Sequence, residues 1–202
     1  MTIVEVRKLF KESVAVKNRL LDSDQLDNLV DMANQSSDAI QRGNKLMLCG
    51  NGGSAADAQH LAAEMLVRLR PNYNREGVPA ISLAQDTSTI TACGNDFGYD
   101  KLFERMVNTL GNSGDILIGL TTSGNSLNII RAMIAAREKK VKVFGFIGAE
   151  GGKAKELCDV SFLVPSDNTG RIQESHITAG HALMECIENK LINEGYLHLQ
   201  TG

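Results

Sequence analysis

Between Asn44 and Pro165 the chain alternates short apolar runs with segments of helical length, and this alternation narrows the possible folds more than any other feature. The runs are residues 45–49, 80–83, 115–120, 141–147 and 160–164. Near-continuous apolar strands joined by helix-length connections suit a parallel sheet, because each crossover lays a helix on one of its faces. The expected class is α/β: a five-stranded parallel sheet flanked by helices in three layers, of flavodoxin or Rossmann-like type. Ahead of it, Val6, Leu9, Phe10, Val16 and Leu20 recur at helical spacing, as do Leu26, Leu29, Val30, Ala33 and Ile40. Asp22, Ser23 and Asp24 offer an N-cap for the second of these helices, and Gly43 a C-cap. One long helix from about Arg171 to Asn193 follows the sheet. The expectation is a single domain over 1–202, with a helical pair at 1–43 and an α/β core at 44–202. Residues 70–77 read as the most flexible connection.

Composition removes several classes of function. The 202 residues carry 21 basic and 24 acidic side chains, a net charge of −3 without like-charge runs, so no nucleic-acid partner is expected. No stretch approaches the roughly 18–20 apolar residues of a membrane span. The start Met1-Thr2-Ile3-Val4-Glu5 lacks the basic opening of a signal peptide, which makes the expectation cytoplasmic with no membrane partner. Cys49, Cys93, Cys158 and Cys186 are scattered without a CxxC pair, so neither a zinc ribbon nor a disulfide framework is written here. Three of the four lie in apolar or helix-like runs, as small buried thiols would. With no Trp, three Tyr and six Phe, little is available for stacking on bases or sugars.

In an open parallel sheet, ligands bind beyond the carboxyl ends of the strands. Two loops at such ends stand out. Cys49-Gly50-Asn51-Gly52-Gly53-Ser54 leads into a helix at Ala55; its glycines let the backbone approach a ligand, and the new helix aims N–H groups at it. Thr121-Thr122-Ser123-Gly124-Asn125-Ser126 leads into a second helix and offers four hydroxyls at a helix N-terminus, a neutral cradle for phosphate. Neither spells a P-loop or a GxGxxG fingerprint. Turn formation alone would also explain Gly, Ser and Asn, but not two such loops at neighbouring strand ends. The hydroxyl-rich loop is read as the phosphate site, with the first loop facing the rest of the ligand.

His60 and Glu64 are four residues apart on the helix after the first loop and share a face. Gln173 and His181 on the last helix are about 80° and roughly 12 Å apart, so the same side is open to them. Together they form a plausible N/O set for a divalent metal such as zinc. They also supply a carboxylate base and an imidazole acid, as proton abstraction beside a carbonyl requires. A surface ion pair is the ordinary meaning of His and Glu at this spacing, and His176 replaces His181 equally well by geometry alone. Glu174 and Glu185 read as solvated, and His198 as part of a frayed tail.

The run from Cys49 through Ser54 to His60 and Glu64 resembles the sugar isomerase (SIS) fold, specifically the phosphoheptose isomerase family. The similarity continues through Gly94-Asn95-Asp96-Phe97-Gly98, the Thr121 to Ser126 loop and Arg171-Ile172-Gln173-Glu174-Ser175-His176, and covers nearly the whole chain. It implies a homotetramer with sites at subunit interfaces and one zinc per subunit held by His60, Glu64, Gln173 and His181. It also implies a sugar phosphate substrate contacted by Asn51, Gly52, Gly53, Ser54, Glu64, Arg68, Asn95, Asp96 and Gln173, with the phosphate on Thr121, Thr122, Ser123 and Ser126. Arg68 is expected one helical turn after Glu64. The implied reaction is sedoheptulose 7-phosphate to D-glycero-D-manno-heptose 7-phosphate through an enediol, with Glu64 moving the proton between the first two carbons and His181 as its partner acid/base. The product would serve heptose biosynthesis, for lipopolysaccharide, capsule or glycoprotein. The chain departs from the family at Thr121, often Ser, and at Gly170, where some members are acidic; Asp167 is the nearest substitute.

Two competitors are carried. One is a non-catalytic SIS tetramer associated with the replication initiator; the presence of His60, Glu64, Gln173 and His181 weighs against it. The other is a SIS isomerase of another sugar phosphate, or a SIS sensor; the Asn95-Asp96 segment favours the heptose reading, and a sensor would add a DNA-binding segment.

Overall fold

The computed structural model describes residues 2–199. Two helices open the chain, α1 (Ile3–Leu21) and α2 (Gln25–Gln41). The core follows as β1 (Leu46–Gly50), α3 (Gly53–Leu66), β2 (Ala80–Ser82), α4 (Thr87–Asp96), α5 (Leu102–Leu110) and β3 (Ile116–Thr121). It continues through α6 (Leu127–Glu138), β4 (Lys142–Gly148), the short α7 (Gly152–Lys155) and β5 (Val160–Val164), and ends in α8 (Thr169–Asn193). All strand pairs are parallel, in the order β2-β1-β3-β4-β5. The expected five-stranded parallel sheet is therefore present.

Alternation along the strands feeds both faces. Leu46, Leu48, Ile116, Ile118, Phe144 and Phe146 pack with α2, α3 and α8, whereas Met47, Cys49, Leu117, Val143 and Ile147 pack with α4, α5 and α6. Leu46 to Cys49 are all 0% exposed, as a strand covered on both sides requires. Each such side chain contributes about 1.5–3 kcal/mol on burial.

Four local expectations change. Asp24 stands at the head of α2 without a side-chain cap; Ser23 Oγ accepts the Gln25 N–H instead, at 3.3 Å. On α1 only Val16 and Leu20 are buried, while the Leu9 and Phe10 side chains are 50% and 71% exposed although the Leu9 carbonyl accepts from Arg171 Nη1 of the last helix. The 70–77 connection is pinned rather than loose: Arg70 and Arg75 both bind Glu188 of α8. The tail is anchored too, with Leu197 buried and the His198 N–H donating to Glu76 Oε2 at 3.3 Å. Cys49 and Cys93 are buried, Cys158 is half-buried and Cys186 is exposed.

Candidate active site

The order β2-β1-β3 places the topological switch between β1 and β3, and the two unusual loops leave the carboxyl ends of those two strands. They are tied together. Asn51 Nδ2 donates to Asn128 Oδ1 at 2.9 Å and Asn128 Nδ2 donates back to Asn51 Oδ1 at 2.8 Å. Tyr99 Oη also donates to Asn51 Oδ1, at 2.9 Å. The Asn51 side chain is thus engaged within the fold; Gly52 turns the chain from β1 into α3 at φ +55, and its carbonyl accepts from the Ala55 and Ala56 N–H groups. Ser54 is 3% exposed and packed under Gly50.

In the second loop Thr121 is buried and Thr122 and Ser126 are half-buried, while Ser123 is exposed. Thr121 Oγ1 lies 3.4 Å from Ser126 Oγ. Ser126 is the N-cap of α6 yet its hydroxyl caps no backbone N–H, and the first turn of α6 holds no acidic residue. A hydroxyl and a helix N-terminus without a competing carboxylate suit an anion. Gly124 takes φ +65, and a Cβ there would lie 2.1 Å from Gly151 O.

Beside these loops, α3 and α8 bring the titratable groups together. His60 Nε2 and His181 Nε2 are 2.7 Å apart, and His60 Nε2 is 3.3 Å from Glu64 Oε1. One ligand atom from each of the three lies within 4.8 Å of the others. The packing is tight at Gly180: a Cβ there would lie 2.5 Å from Leu61 Cδ1, so a side chain at this position would force Leu61 or the two helices to shift. Gln173 stands toward the head of α3, its amide over Gly53, on the first-loop side of the trio.

The donor set fits a divalent metal. Two imidazole nitrogens and a carboxylate oxygen lie within 4.8 Å of one another, and this N/O set is of the kind that divalent transition metals take. His60 is 47% exposed and Glu64 17%, so the trio is open on one side to a ligand.

Other expected residues lie differently. His176, the alternative to His181, is 0% exposed and packs edge-on against Phe146 with centroids 5.9 Å apart; burial pushes its pKa down to about 4. It faces the sheet, not α3. Arg68 lies beyond the end of α3 and not on a further turn of it, because the helix stops at Leu66; it is exposed and makes no ion pair among the described residues. Asn95 and Asp96 close α4, are exposed, and bond to each other at 2.8 Å. Glu174 pairs with Arg171, and Glu185 with Arg70 at 3.2 Å.

Asp57 was not singled out in the sequence, although it lies on the α3 stripe with Gly53, His60 and Glu64. Burial pushes its carboxyl pKa up, while His60 and His181 pull it back. Its spacing of three from His60 was the available signal. Asn128 and Tyr99 carried no signal of their own.

A SIS domain family model matches residues 8–148. A phosphoheptose isomerase of Aliarcobacter butzleri is 51% identical over 154 residues, covering 76% of this chain and 80% of that protein. Among solved structures, a phosphoheptose isomerase from Neisseria gonorrhoeae superposes with a TM-score of 0.86 at 40% identity, covering 93% of this chain and 100% of that one. Another from Francisella tularensis gives 0.89 at 34% identity, covering 94% and 100%.

Proposed function

The chain belongs to the phosphoheptose isomerase family of SIS-domain proteins, and from that premise we propose that it converts sedoheptulose 7-phosphate to D-glycero-D-manno-heptose 7-phosphate. It is an aldose–ketose isomerase. The observation that carries the substrate reading is the His60, Glu64 and His181 trio beside two polar loops at the switch point of the sheet.

The phosphate sits on Thr121, Thr122, Ser123 and Ser126 at the head of α6. The sugar chain extends toward the backbone of Asn51, Gly52 and Gly53, within reach of Gln173, and Asn95 and Asp96 bind its hydroxyls. Ser54 and Arg68 are taken as further substrate contacts, Ser54 in the first loop and Arg68 exposed past the end of α3. Glu64 moves the proton between the first two carbons, and His181 passes the second proton between the two oxygens as acid and base. Zinc, one per subunit, would be held by His60, Glu64, Gln173 and His181, and when bound supplies a fixed positive charge beside the developing enediolate.

The same reading takes residues 1–202 as one SIS domain and the assembly as a homotetramer with sites at subunit interfaces. Its support is the exposed apolar face of α1, with Ile3, Val4, Leu9, Phe10 and Val14 all outward. No helix among the described residues is long and apolar enough to cross a membrane, and the cytoplasm is the compartment assigned.

The test is to incubate the protein with sedoheptulose 7-phosphate and to follow the aldoheptose phosphate by NMR. Glu64→Gln is expected to lower turnover about 10²–10⁴-fold with the fold intact. Near-normal turnover would remove Glu64 from the role of base, and metal analysis showing no zinc in active protein would remove the ion.

A further inference from the structure

The C-terminal end of α3 is closed by a buried cation. An α-helix leaves its last carbonyls without partners and carries partial negative charge at that end. Here Arg75 supplies the donors: Nη2 donates to Glu64 O at 3.0 Å and Nη1 to Met65 O at 3.0 Å, while the Val78 N–H also reaches Met65 O at 2.9 Å. The guanidinium is held in turn by Glu188 on α8, whose Oε1 accepts from Arg75 Nε at 2.6 Å. Glu188 Oε2 accepts from Arg70 Nε, also at 2.6 Å. The side chains of Arg75 and Glu188 are both 0% exposed.

Stability alone gives little reason for this arrangement, since apolar residues of similar volume commonly replace a buried ion pair without loss. What an apolar pair cannot do is fix two particular carbonyls. One of them belongs to Glu64, which stands in the last turn of α3, where helices fray. The anchor, Glu188, lies on the helix that carries His181. The clamp therefore joins the two elements of the trio at the point where one of them ends.

We propose that Arg75, seated on Glu188, is a positioning residue: it keeps the last turn of α3 wound so that the Glu64 carboxylate stays with His60 and His181. This rests on the reading of Glu64 as the proton-transferring base.

The double variant Arg75→Met/Glu188→Met removes both buried charges together and keeps apolar volume, so it is expected to fold. Arg70 retains Glu185 and Asn189 as partners. Turnover is expected to fall about 10–100-fold, as a displacement of about 1 Å does at a reacting group. KM should change by less than about threefold, because the phosphate loop lies on other elements. Hydrogen exchange at the Val67 amide, bonded to Ala63 O, should quicken. Arg75→Lys keeps the cation but not the fork, and its turnover is expected to fall between the two; it also carries the test if the double variant does not fold. Glu64→Gln is measured alongside. If it is inactive while folded Arg75 variants turn over within about twofold of the parent, the positioning role is overturned and the base stands. If Glu64→Gln is active, the reading of the base falls and this proposal with it.

Discussion

Gly180→Ala tests whether the approach of α8 to α3 sets the geometry of the trio. The new Cβ would lie 2.5 Å from Leu61 Cδ1, 2.8 Å from Cδ2 and 3.2 Å from Cγ. Carbon atoms prefer about 3.5–4.0 Å, so roughly 1 Å must be found. Leu61 is 1% exposed and hemmed in, which makes part of that relief a separation of the helices. Overpacking costs about 1–3 kcal/mol, and alanine returns about 1 kcal/mol of helix propensity over glycine. The net loss is about 0–2 kcal/mol, which for a domain of this size lowers Tm by at most about 8 °C. Catalysis is expected to suffer more. His181 is the next residue, and moving it about 1 Å from His60 costs on the order of 10²-fold in kcat/KM. The assay is steady-state isomerisation with a thermal melt on the same preparation. Adding Leu61→Ala should restore turnover while lowering Tm further, because it frees the space at the expense of a cavity. A kcat/KM within about twofold of the parent for Gly180→Ala would refute the reasoning.

At Gly124, alanine combines an unfavourable φ of +65 with a Cβ 2.1 Å from Gly151 O. The strain is about 1–3 kcal/mol, and KM for the sugar phosphate is expected to rise about tenfold with kcat less affected; an unchanged KM would detach this loop from the phosphate. His176 makes stability depend on pH. Its folded pKa is about 4 against an ordinary 6.5, so between these values the unfolded chain binds the proton and the folded chain does not. The stability is fully present above about 6.5 and is lost as pH falls, on the order of 2 kcal/mol by about pH 5. Melting curves at pH 7 and 5 should therefore converge for His176→Leu relative to the parent, and equal slopes would contradict the burial.

The sheet was legible because continuous apolar runs at regular spacing have few other uses, and the two ligand loops because their composition exceeds what a turn needs. His60 and Glu64 were legible as a pair through local spacing. The choice between His176 and His181 was not, since both lie on α8 and only the packing surface decides which face turns inward. Residues 70–77 misled for a related reason: Pro71, Asn72, Asn74 and Gly77 mark the absence of regular structure, not the absence of anchorage. The anchor, Glu188, is 113 positions from Arg75, and no local pattern announces a contact at that distance. Arg68 was placed on a helix that in fact ends two residues earlier, at Leu66.

The two helices of the site run side by side in step: Gly53 faces Gln173, His60 faces His181, and the close of α3 meets Glu188 through Arg75. Their sequences are consequently rulers laid against each other. Deleting one residue between Gln173 and His181 would swing every later side chain of α8 by about 100° and slide it about 1.5 Å, so with Gln173 kept over Gly53 the meetings at His181 and Glu188 would both be lost. The turns around the sheet can lengthen without disturbing these meetings, but the count along either ruler cannot change.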